Sequence, residues 1–523
     1  MDRQLVQDLT RSAQHTTEHI EALITATRDR YVPDIPATYR RIKMAMGPSP
    51  DLILRSLTVP ACGSASVLIA YLDSVTDPQV VDQDLIAPLL RTTAPAPTWD
   101  QSTLTAGSIT AQKAWPGILD DLASGHTLIF APGLAHVWSV DTGKYPQRSI
   151  ERPQTELAVR GPDEAFNESL STQMGQLRRR FRDPALQFQS ITVGQWQHAP
   201  ITLTYVAGLT NPSLTSLVTA RLSRIAIGGR ANATVVAGLI RDQPRSIFPT
   251  VRSTERVDVA CQALLEGKVV ILVDGDPFVL IAPAPLADFY RTGMDYAGPW
   301  YDTSFVRLIR LVGWAIGVYL PGLYIALTEV NTNLLPPALL IMTAGSHAGL
   351  PFPPVVEALL MVFVIEVLRE AALRLPKTLS VTIGTVGAIV VGTAVVKAGL
   401  VSPQMIVVIT LTALSFYSAP VYELTGTWRV VNFLMLLAGA VAGVYGLVLV
   451  TVWLIGTLIA LTSFGVPYFA PIAPFRAADW RDVILRVPWT LWRRRLTTAH
   501  PEGSRSMGPS VIVPPSPWDR PRS

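Results

Sequence analysis

The chain has 523 residues, of which 49% are hydrophobic and only 16% are charged. This composition favours a membrane protein, and the length accommodates two or three domains. The net charge of +4 is too small to indicate a nucleic-acid-binding protein. The two cysteines, Cys62 and Cys261, give neither a metal-ligand spacing nor a disulfide framework, so we expect reduced, buried thiols in a cytosolic domain.

The N-terminal region predicts a polar helix over residues 1–33, without the apolar stretch of a signal peptide. Strand and helix patterns follow over residues 34–148. The predicted elements there are a strand over Ser66–Val75, a turn over Thr76–Pro78, a helix through Leu90, loop-rich residues 94–118, and a strand pair over Thr127–Ala131 and His136–Val140.

The same pattern returns over residues 187–283. Tyr71–Pro78 (YLDSVTDP) is matched at the same spacing by Tyr205–Pro212 (YVAGLTNP), and Leu122–Ile129 is matched by Leu264–Ile271. Two matches in the same order predict a duplicated unit, and strands that alternate with helices predict α/β layers. We therefore assign residues 34–148 and 149–300 to two cytosolic α/β subdomains.

Two local patterns in the second copy need a structural interpretation. A helix is predicted to begin at Pro162, because proline suits the first turn and Asp163 and Glu164 complement the helix dipole. Near its end, an arginine run from Arg178 to Arg182 is interpreted as a solvated face rather than a lipid-phosphate site. Asp274-Gly275-Asp276 is interpreted as a hairpin turn rather than a metal or phosphate site.

From Phe305 the composition changes, and no aspartate occurs between Asp302 and Asp479. Residues 301–462 predict an α-helical multi-pass transmembrane domain with four to six segments. The second segment contains Pro336-Pro337 and predicts a re-entrant or broken helix, and the last permits either a tilted helix or a hairpin. The apolar segments span residues 305–328, 334–345, 354–375, 379–400, 403–424 and 430–462.

The third apolar segment carries charges that lipid-facing helices avoid, since a charge at the bilayer centre costs roughly 2.5–3.5 kcal/mol on insertion scales. Glu366, Arg369 and Glu370 share one face and can pair. Glu357 is about half a turn out of phase and needs a different partner. Either these charges lie among headgroups, or the helix lies inside a membrane assembly with Glu357 buried. Glu423, near a loop, is expected to tolerate replacement by alanine.

Two further features of the helical region bear on assembly. Gly384, Ala388 and Gly392 form a stripe of small residues, which packs either against another span of the same chain or between subunits. His347 is interpreted as a loop or interface residue, with a pH-sensing role as the alternative.

The distribution of basic residues predicts the orientation. Arg307 and Arg310 stand at the start of the first span, whereas residues 329–353 contain no lysine or arginine. The positive-inside rule therefore places the N-terminal domain in the cytoplasm together with residues 463–523, which end in a Pro- and Ser-rich disordered tail.

Several motifs occur together, in order, over most of residues 40–490. They are Ile42–Ala45, Val159–Glu168 with Arg160, Gly161 and Pro162, Ile271–Phe278, Leu350–Leu359 with Pro351 and Pro353, Leu368–Ala371, Arg374–Pro376, Ala398–Pro403 and Ser463–Tyr468. In these motifs the chain resembles the A subunit of the spore germinant receptors, the GerA family. It departs from the family pattern at Ser346–Gly349 and Thr393–Gly399.

This resemblance implies a multi-pass protein of the spore inner membrane. It also implies assembly with a permease-like B subunit that binds the nutrient and with a lipoprotein C subunit. The resemblance further implies that A subunits form oligomers that conduct ions when nutrient binds. The alternatives are a stand-alone secondary transporter and a membrane-anchored scaffold. A membrane-tethered enzyme is disfavoured, because the sequence contains no phosphate loop, HExxH or GxSxG motif, and we expect no cofactor or metal.

Overall fold

The computed structural model describes residues 30–59, 66–92, 104–106, 108–144, 153, 155–156, 160–374, 394–418, 421–477, 479–483, 485–488, 496 and 501. Most of the predicted N-terminal helix, Cys62, the stripe of Gly384, Ala388 and Gly392, and nearly all of the predicted tail lie outside these residues. Residues 30–33, at the end of the predicted N-terminal helix, are not helical.

The first α/β unit contains a five-stranded sheet of order β1-β2-β4-β5-β3, in which all pairs are antiparallel. Helices cover both faces, because the strands are apolar on both sides. Its elements are α1 Ile35–Met46, β1 Leu52–Thr58, β2 Ser66–Leu72, α2 over the consecutive segments Pro78–Val80, Val81–Ile86 and Ala87–Arg91, β3 Ile109–Gln112, α3 Trp115–Ala123, β4 His126–Phe130 and β5 Val137–Asp141.

The second unit repeats this plan, with strand order β6-β7-β9-β10-β8 and antiparallel pairing throughout. One face packs against α5 and α6, and the other against α4 and α7. Its elements are α4 Leu170–Arg180, β6 Leu186–Val193, β7 Ala199–Val206, α5 Pro212–Ser223, α6 Ala233–Ile240, β8 Arg252–Thr254, α7 Val257–Leu265, β9 Val269–Val273 and β10 Val279–Ala282.

The sequence matches occupy equivalent places in the two units. Asp77 and Asn211 both cap the following helix, and each side chain accepts a hydrogen bond from the backbone two residues on. Gly125 and Gly267 have φ of +89° and +82°, and a Cβ at either position would lie 3.2 Å from a backbone oxygen, of Val75 and Leu209 respectively. Glycine is therefore required at the same turn of both copies.

Two local predictions in the α/β part are wrong. Residues 94–118 are not only loop, because they contain β3 and the start of α3. The helix expected at Pro162 begins instead at Leu170. The residues that suited an earlier start have other partners, since the Pro162 oxygen accepts from Arg256 and Glu164 pairs with Arg180.

The arginine run at the end of α4 is also not a uniformly solvated face. Arg178 is fully buried, and its guanidinium donates from Nε to Asp51 Oδ2 at 3.1 Å and from Nη2 to Ser49 Oγ at 2.8 Å. Asp51 lies in the first unit, so this ion pair joins the two α/β units. Breaking such a buried pair costs about 3–5 kcal/mol.

The helical part begins after two short 3₁₀ turns, Leu286–Tyr290 and Gly293–Tyr296. Among the described residues, two helical stretches are long and apolar enough to cross a membrane by length and composition, Trp300–Val330 and Glu423–Ala460. The number of spans therefore stays a prediction. The bounds are α8 Trp300–Ile325 with a π-helical continuation over Ala326–Val330, α9 Pro337–His347, α10 Pro354–Arg374, α11 Val395–Lys397, α12 Pro403–Tyr417 and α13 Tyr422–Ala460.

The last of these, α13, is a helical hairpin that turns at Gly443, where φ is 60° and ψ is −143°. A Cβ on Gly446 would lie 2.3 Å from the Ala438 oxygen, although eight residues of straight helix would separate them by about 12 Å. Both ends also contact one stretch of the α/β part, since Glu423 accepts from Ser253 N and the Ala460 oxygen accepts from Gln243 Nε2. Of the two alternatives that the sequence left open, the hairpin is therefore the one formed.

Candidate functional site

Glu357 lies in the first turn of α10 and is fully buried. The Pro353 oxygen accepts from Glu357 N at 3.1 Å, so the Pro-Phe-Pro motif fixes where the helix begins and where this carboxylate points. Glu357 Oε2 accepts from Ser402 N at 3.0 Å, and Oε1 lies 3.1 Å from His347 Nδ1. Pro351, earlier in the motif, is exposed.

The neighbours of Glu357 extend this contact into a polar network. His347 Nε2 lies 3.3 Å from the Tyr324 hydroxyl, which belongs to α8. Ser402 caps α12, because its hydroxyl accepts from Met405 N at 3.2 Å. The network therefore connects the C-terminal ends of α8 and α9 to the N-terminal ends of α10 and α12. His347, for which the sequence offered an interface or a sensing role, is part of this network.

The second charged group on α10 lies further along the helix. Glu366 accepts from Arg369 Nη1 at 2.8 Å and from Arg429 Nη1 at 2.9 Å, so it joins α10 to the first arm of the α13 hairpin. Glu370, on the same helix face, is exposed. A cavity of about 470 Å³ adjoins the ion pair and is lined by residues of α10, α12 and α13.

The Arg160-Gly161-Pro162 motif lies on the second α/β unit. Arg160 is exposed, Gly161 has φ of +105°, and the Pro162 oxygen accepts from Arg256 Nη2 at 3.0 Å. A Cβ built on Gly161 would lie 3.5 Å from the Cβ of Ala297, which stands just before α8 begins. The motif therefore packs against the connection between the α/β part and the first long apolar helix.

That connection contains the densest cluster of buried charges in the described residues, and we call it the junction. It joins the second α/β unit, the start of α8 and the C-terminal segment 461–488. Its charged members are Glu266, Lys268, Asp288, Arg291, Asp295, Arg307, Arg310 and Asp482.

Asp482 lies at the centre of the junction and is only 1% exposed. It accepts from Arg291 Nη1 at 3.1 Å, from Arg307 Nη1 at 2.9 Å and from the Tyr296 hydroxyl at 2.6 Å. Arg307 belongs to α8 and Arg291 to the connection that precedes it. One carboxylate of the C-terminal segment thus bonds directly to both sides of the domain boundary.

Burial and ion pairing within the junction shift the pKa values of its charged side chains. Burial alone would raise the pKa of Glu266, but the charges of Arg291 and Lys268 outweigh it and lower that pKa to about 2. Burial lowers the pKa of Lys268 to about 8, although Glu266 opposes the shift. Burial would likewise raise the pKa of Asp295, and its bonds to Arg310 and Arg307 lower it. The carboxylates of Glu266 and Asp295 are therefore held charged at neutral pH.

Sequence reasoning did not find the junction. Asp482 is separated from Arg307 by 175 residues and from Arg291 by 191. The available signal was the return of aspartate at Asp479 and Asp482 after a stretch without any, beside the arginines at the start of α8.

Glu423 makes a further contact that the sequence did not predict. Its carboxylate accepts from both the backbone N and the hydroxyl of Ser253, which lies on the edge strand β8. The expectation that Glu423→Ala would be mild is therefore revised, because this residue fastens the hairpin to the second sheet.

Two other features limit the chemistry of the described residues. They contain no group of three or more His, Cys, Asp or Glu side chains that could hold a metal ion. Cys261 is a free, buried thiol, and burial raises its pKa to about 12, so the thiolate nucleophile is not available at neutral pH. Asp274–Asp276 form the turn between β9 and β10, as predicted, with Asp276 Oδ1 accepting from Phe278 N.

Comparison with known proteins adds the family context. The model of the Bacillus/Clostridium GerA spore germination protein family matches residues 40–498. The chain is 34% identical to spore germination protein KA of Bacillus subtilis (strain 168), over 87% of this chain and 85% of that protein. It is also 34% identical to spore germination protein B1 of the same strain, over 90% of this chain and 98% of that protein.

One solved structure is also similar. It is the crystal structure of the N-terminal domain of the A subunit of the Bacillus megaterium spore germinant receptor GerK3, which is 29% identical, with a TM-score of 0.39, and covers 49% of this chain and 97% of that one.

Proposed function

Because the chain belongs to the GerA spore germination protein family, we propose that it is the A subunit of a nutrient germinant receptor in the spore inner membrane. The observation that carries the proposal is the family match over residues 40–498, which includes both the duplicated α/β part and the helical part. The relatives are themselves named spore germination proteins.

In this proposal the partners are a permease-like B subunit, which binds the nutrient, and a lipoprotein C subunit. The α/β part and the C-terminal segment lie in the cytoplasm and act as a scaffold rather than as an enzyme. The junction supports this role, because it connects the α/β part to α8 through paired, buried charges. Movement of the helices on nutrient binding would then be transmitted to the α/β part.

Co-purification tests the proposed assembly. A tagged copy of the chain, extracted in mild detergent from spore membranes, is expected to elute with a permease-like protein and a lipoprotein in comparable amounts. Spores that lack the chain are expected to lose the response to at least one nutrient. Spores with an untagged copy serve as the control for nonspecific binding. Elution of the chain alone, together with an unchanged response of the deletion strain to all nutrients tested, would contradict the proposal.

We further propose that A subunits associate into an oligomer that conducts ions, with the stripe of Gly384, Ala388 and Gly392 at the contact between subunits. Little hydrophobic force drives helices together within lipid, so close packing through small residues supplies much of the association energy. These residues lie outside the described part, and the support for the proposal is the four-residue spacing of the stripe together with the family membership.

Gly392→Leu separates the two roles of the stripe. If the stripe lies between subunits, the variant should be a folded, membrane-inserted monomer that no longer migrates as an oligomer in mild detergent. If the stripe packs within the chain, the protein level should fall while the surviving protein still forms oligomers. Val391→Leu changes the adjacent residue, which does not belong to the four-residue spacing of the stripe, and is the control. An unchanged oligomer at unchanged abundance would mean that the stripe contacts neither a neighbouring subunit nor another span of the same chain.

A further inference from the structure

A cavity of about 330 Å³ lies beside the junction, where α8, both arms of the α13 hairpin and the C-terminal segment meet. Apolar and aromatic side chains make up most of its wall. Those that define it best are Leu311, Trp314, Trp428, Leu454, Leu458 and Phe469. Its volume falls at the lower end of the range of about 300–1,000 Å³ that is usual for small-molecule sites.

The cavity opens on the apolar outer surface of the helical part. Leu311 and Ile455 both line it, and they are 36% and 42% exposed. Arg307 and Arg310 line it as well, close to the start of α8, and both bond to Asp295. Apolar helix surface that meets arginines in this way is typical of the boundary between the acyl region and the headgroups of a bilayer.

Three hydrogen-bond donors on the cavity wall are buried without a partner, namely Arg307 Nη2, Trp314 Nε1 and Trp428 Nε1. Arg307 is 4% exposed, and its Nη2 has no hydrogen-bond partner although its Nε and Nη1 both donate to carboxylates. The Trp314 Nε1 is likewise buried without a partner. A buried donor left without an acceptor costs about 1–3 kcal/mol, so an acceptor on a bound molecule would stabilise this arrangement.

We propose that this cavity binds a membrane phospholipid, with one acyl chain in the cavity and an ester or phosphate oxygen accepting from Arg307 Nη2 and Trp314 Nε1. The opening toward the apolar surface favours a lipid over a water-soluble ligand. Asp295 and Asp482 already neutralise the two arginines, so the site selects an acyl chain with an acceptor oxygen rather than a net negative charge. The bound lipid would fill the space between three elements that the junction holds together.

Photocrosslinking of the full-length chain tests the site. The purified protein is reconstituted into phosphatidylglycerol vesicles in which a small share of the lipid carries a diazirine in its acyl chain. Crosslinks are expected on Leu454, Leu458 and Phe469, in the cavity wall. Ile455→Trp narrows the opening and should cause a severalfold loss of these crosslinks. Ile459 lies on the same arm, is 51% exposed at the outer surface and does not line the cavity. Ile459→Trp should therefore preserve the crosslinks on the cavity wall.

Crosslinks on outward-facing side chains give the internal control, because ordinary surrounding lipid labels them equally in both variants. Crosslinks confined to those outer residues, or equal wall labelling in Ile455→Trp and Ile459→Trp, would overturn the proposal and indicate surrounding lipid only. Trp314→Phe provides a second measurement, since it keeps a smaller aromatic ring on the wall but removes the Nε1 donor. Less phospholipid should then remain bound after detergent purification, and unchanged retention would argue against the assigned hydrogen bond.

Discussion

Replacing Glu357 by alanine should cause the largest loss among single changes in the helical part. The carboxylate is fully buried and satisfies Ser402 N and His347 Nδ1. Alanine leaves the buried Ser402 N without an acceptor and removes a partner from the partly buried His347, which should cost about 3–5 kcal/mol. We expect a lower melting temperature of the purified chain, less protein in spore membranes and a lost or strongly delayed germination response.

Glu357→Gln and Glu370→Ala make this test specific. Glutamine keeps an acceptor for Ser402 N and should have an intermediate effect. Glu370→Ala removes the same side chain from an exposed position of the same helix, where water can replace its contacts, and should have a much smaller effect. Normal abundance, stability and response in Glu357→Ala spores would show that the polar network contributes nothing to the assembly.

Replacing Asp482 by asparagine should loosen the junction without changing its shape. The change removes a negative charge that faces Arg291 and Arg307, both of them buried. Each arginine keeps another carboxylate, so the cost should lie near the lower end for a broken buried pair, about 3 kcal/mol. We expect the C-terminal segment to become accessible to protease at lower temperature and the germination response to weaken while the protein still reaches the membrane.

Asp302→Asn is the matched control for the junction. Asp302 stands at the exposed start of α8, near the cluster, and its replacement makes the same change in net charge. Equal protease sensitivity of Asp482→Asn and Asp302→Asn would mean that the junction does not hold the C-terminal segment in place.

Three sets of polar contacts connect successive helices along the helical part. The Glu357 network joins α10 to α12, and Glu366 joins α10 to the hairpin through Arg429. The junction joins α8 through Arg307 to the C-terminal segment and to Asp295, in the connection that follows the second α/β unit. Between them the helices pack through small and apolar residues, with Gly322 opposite Gly439. A movement at the Glu357 end therefore has a continuous set of packed elements through which to reach the α/β part.

Local signals were sufficient for much of the fold. The repeated helix caps at Asp77 and Asn211 and the turn at Gly275 depend on residues only a few positions away, so they can be predicted from the sequence alone. The helix expected at Pro162 shows where local signals are not sufficient. Its first residues were suited to a helix start, but contacts to Arg256 and Arg180 from elsewhere in the fold outweighed that preference.

The sequence by itself determined the family, the duplicated α/β pattern, the apolar segments and the need of Glu357 for a partner other than the charges further along its helix. Periodicity, turn residues and the cost of a charge in lipid are properties of short stretches. Only the tertiary structure decided that α13 turns back at Gly443, that Arg178 is buried against Asp51 and that Asp482 meets Arg291 and Arg307. Each of these depends on which distant residues pack together, and a charge is paired or solvated according to that packing rather than to its neighbours in the chain.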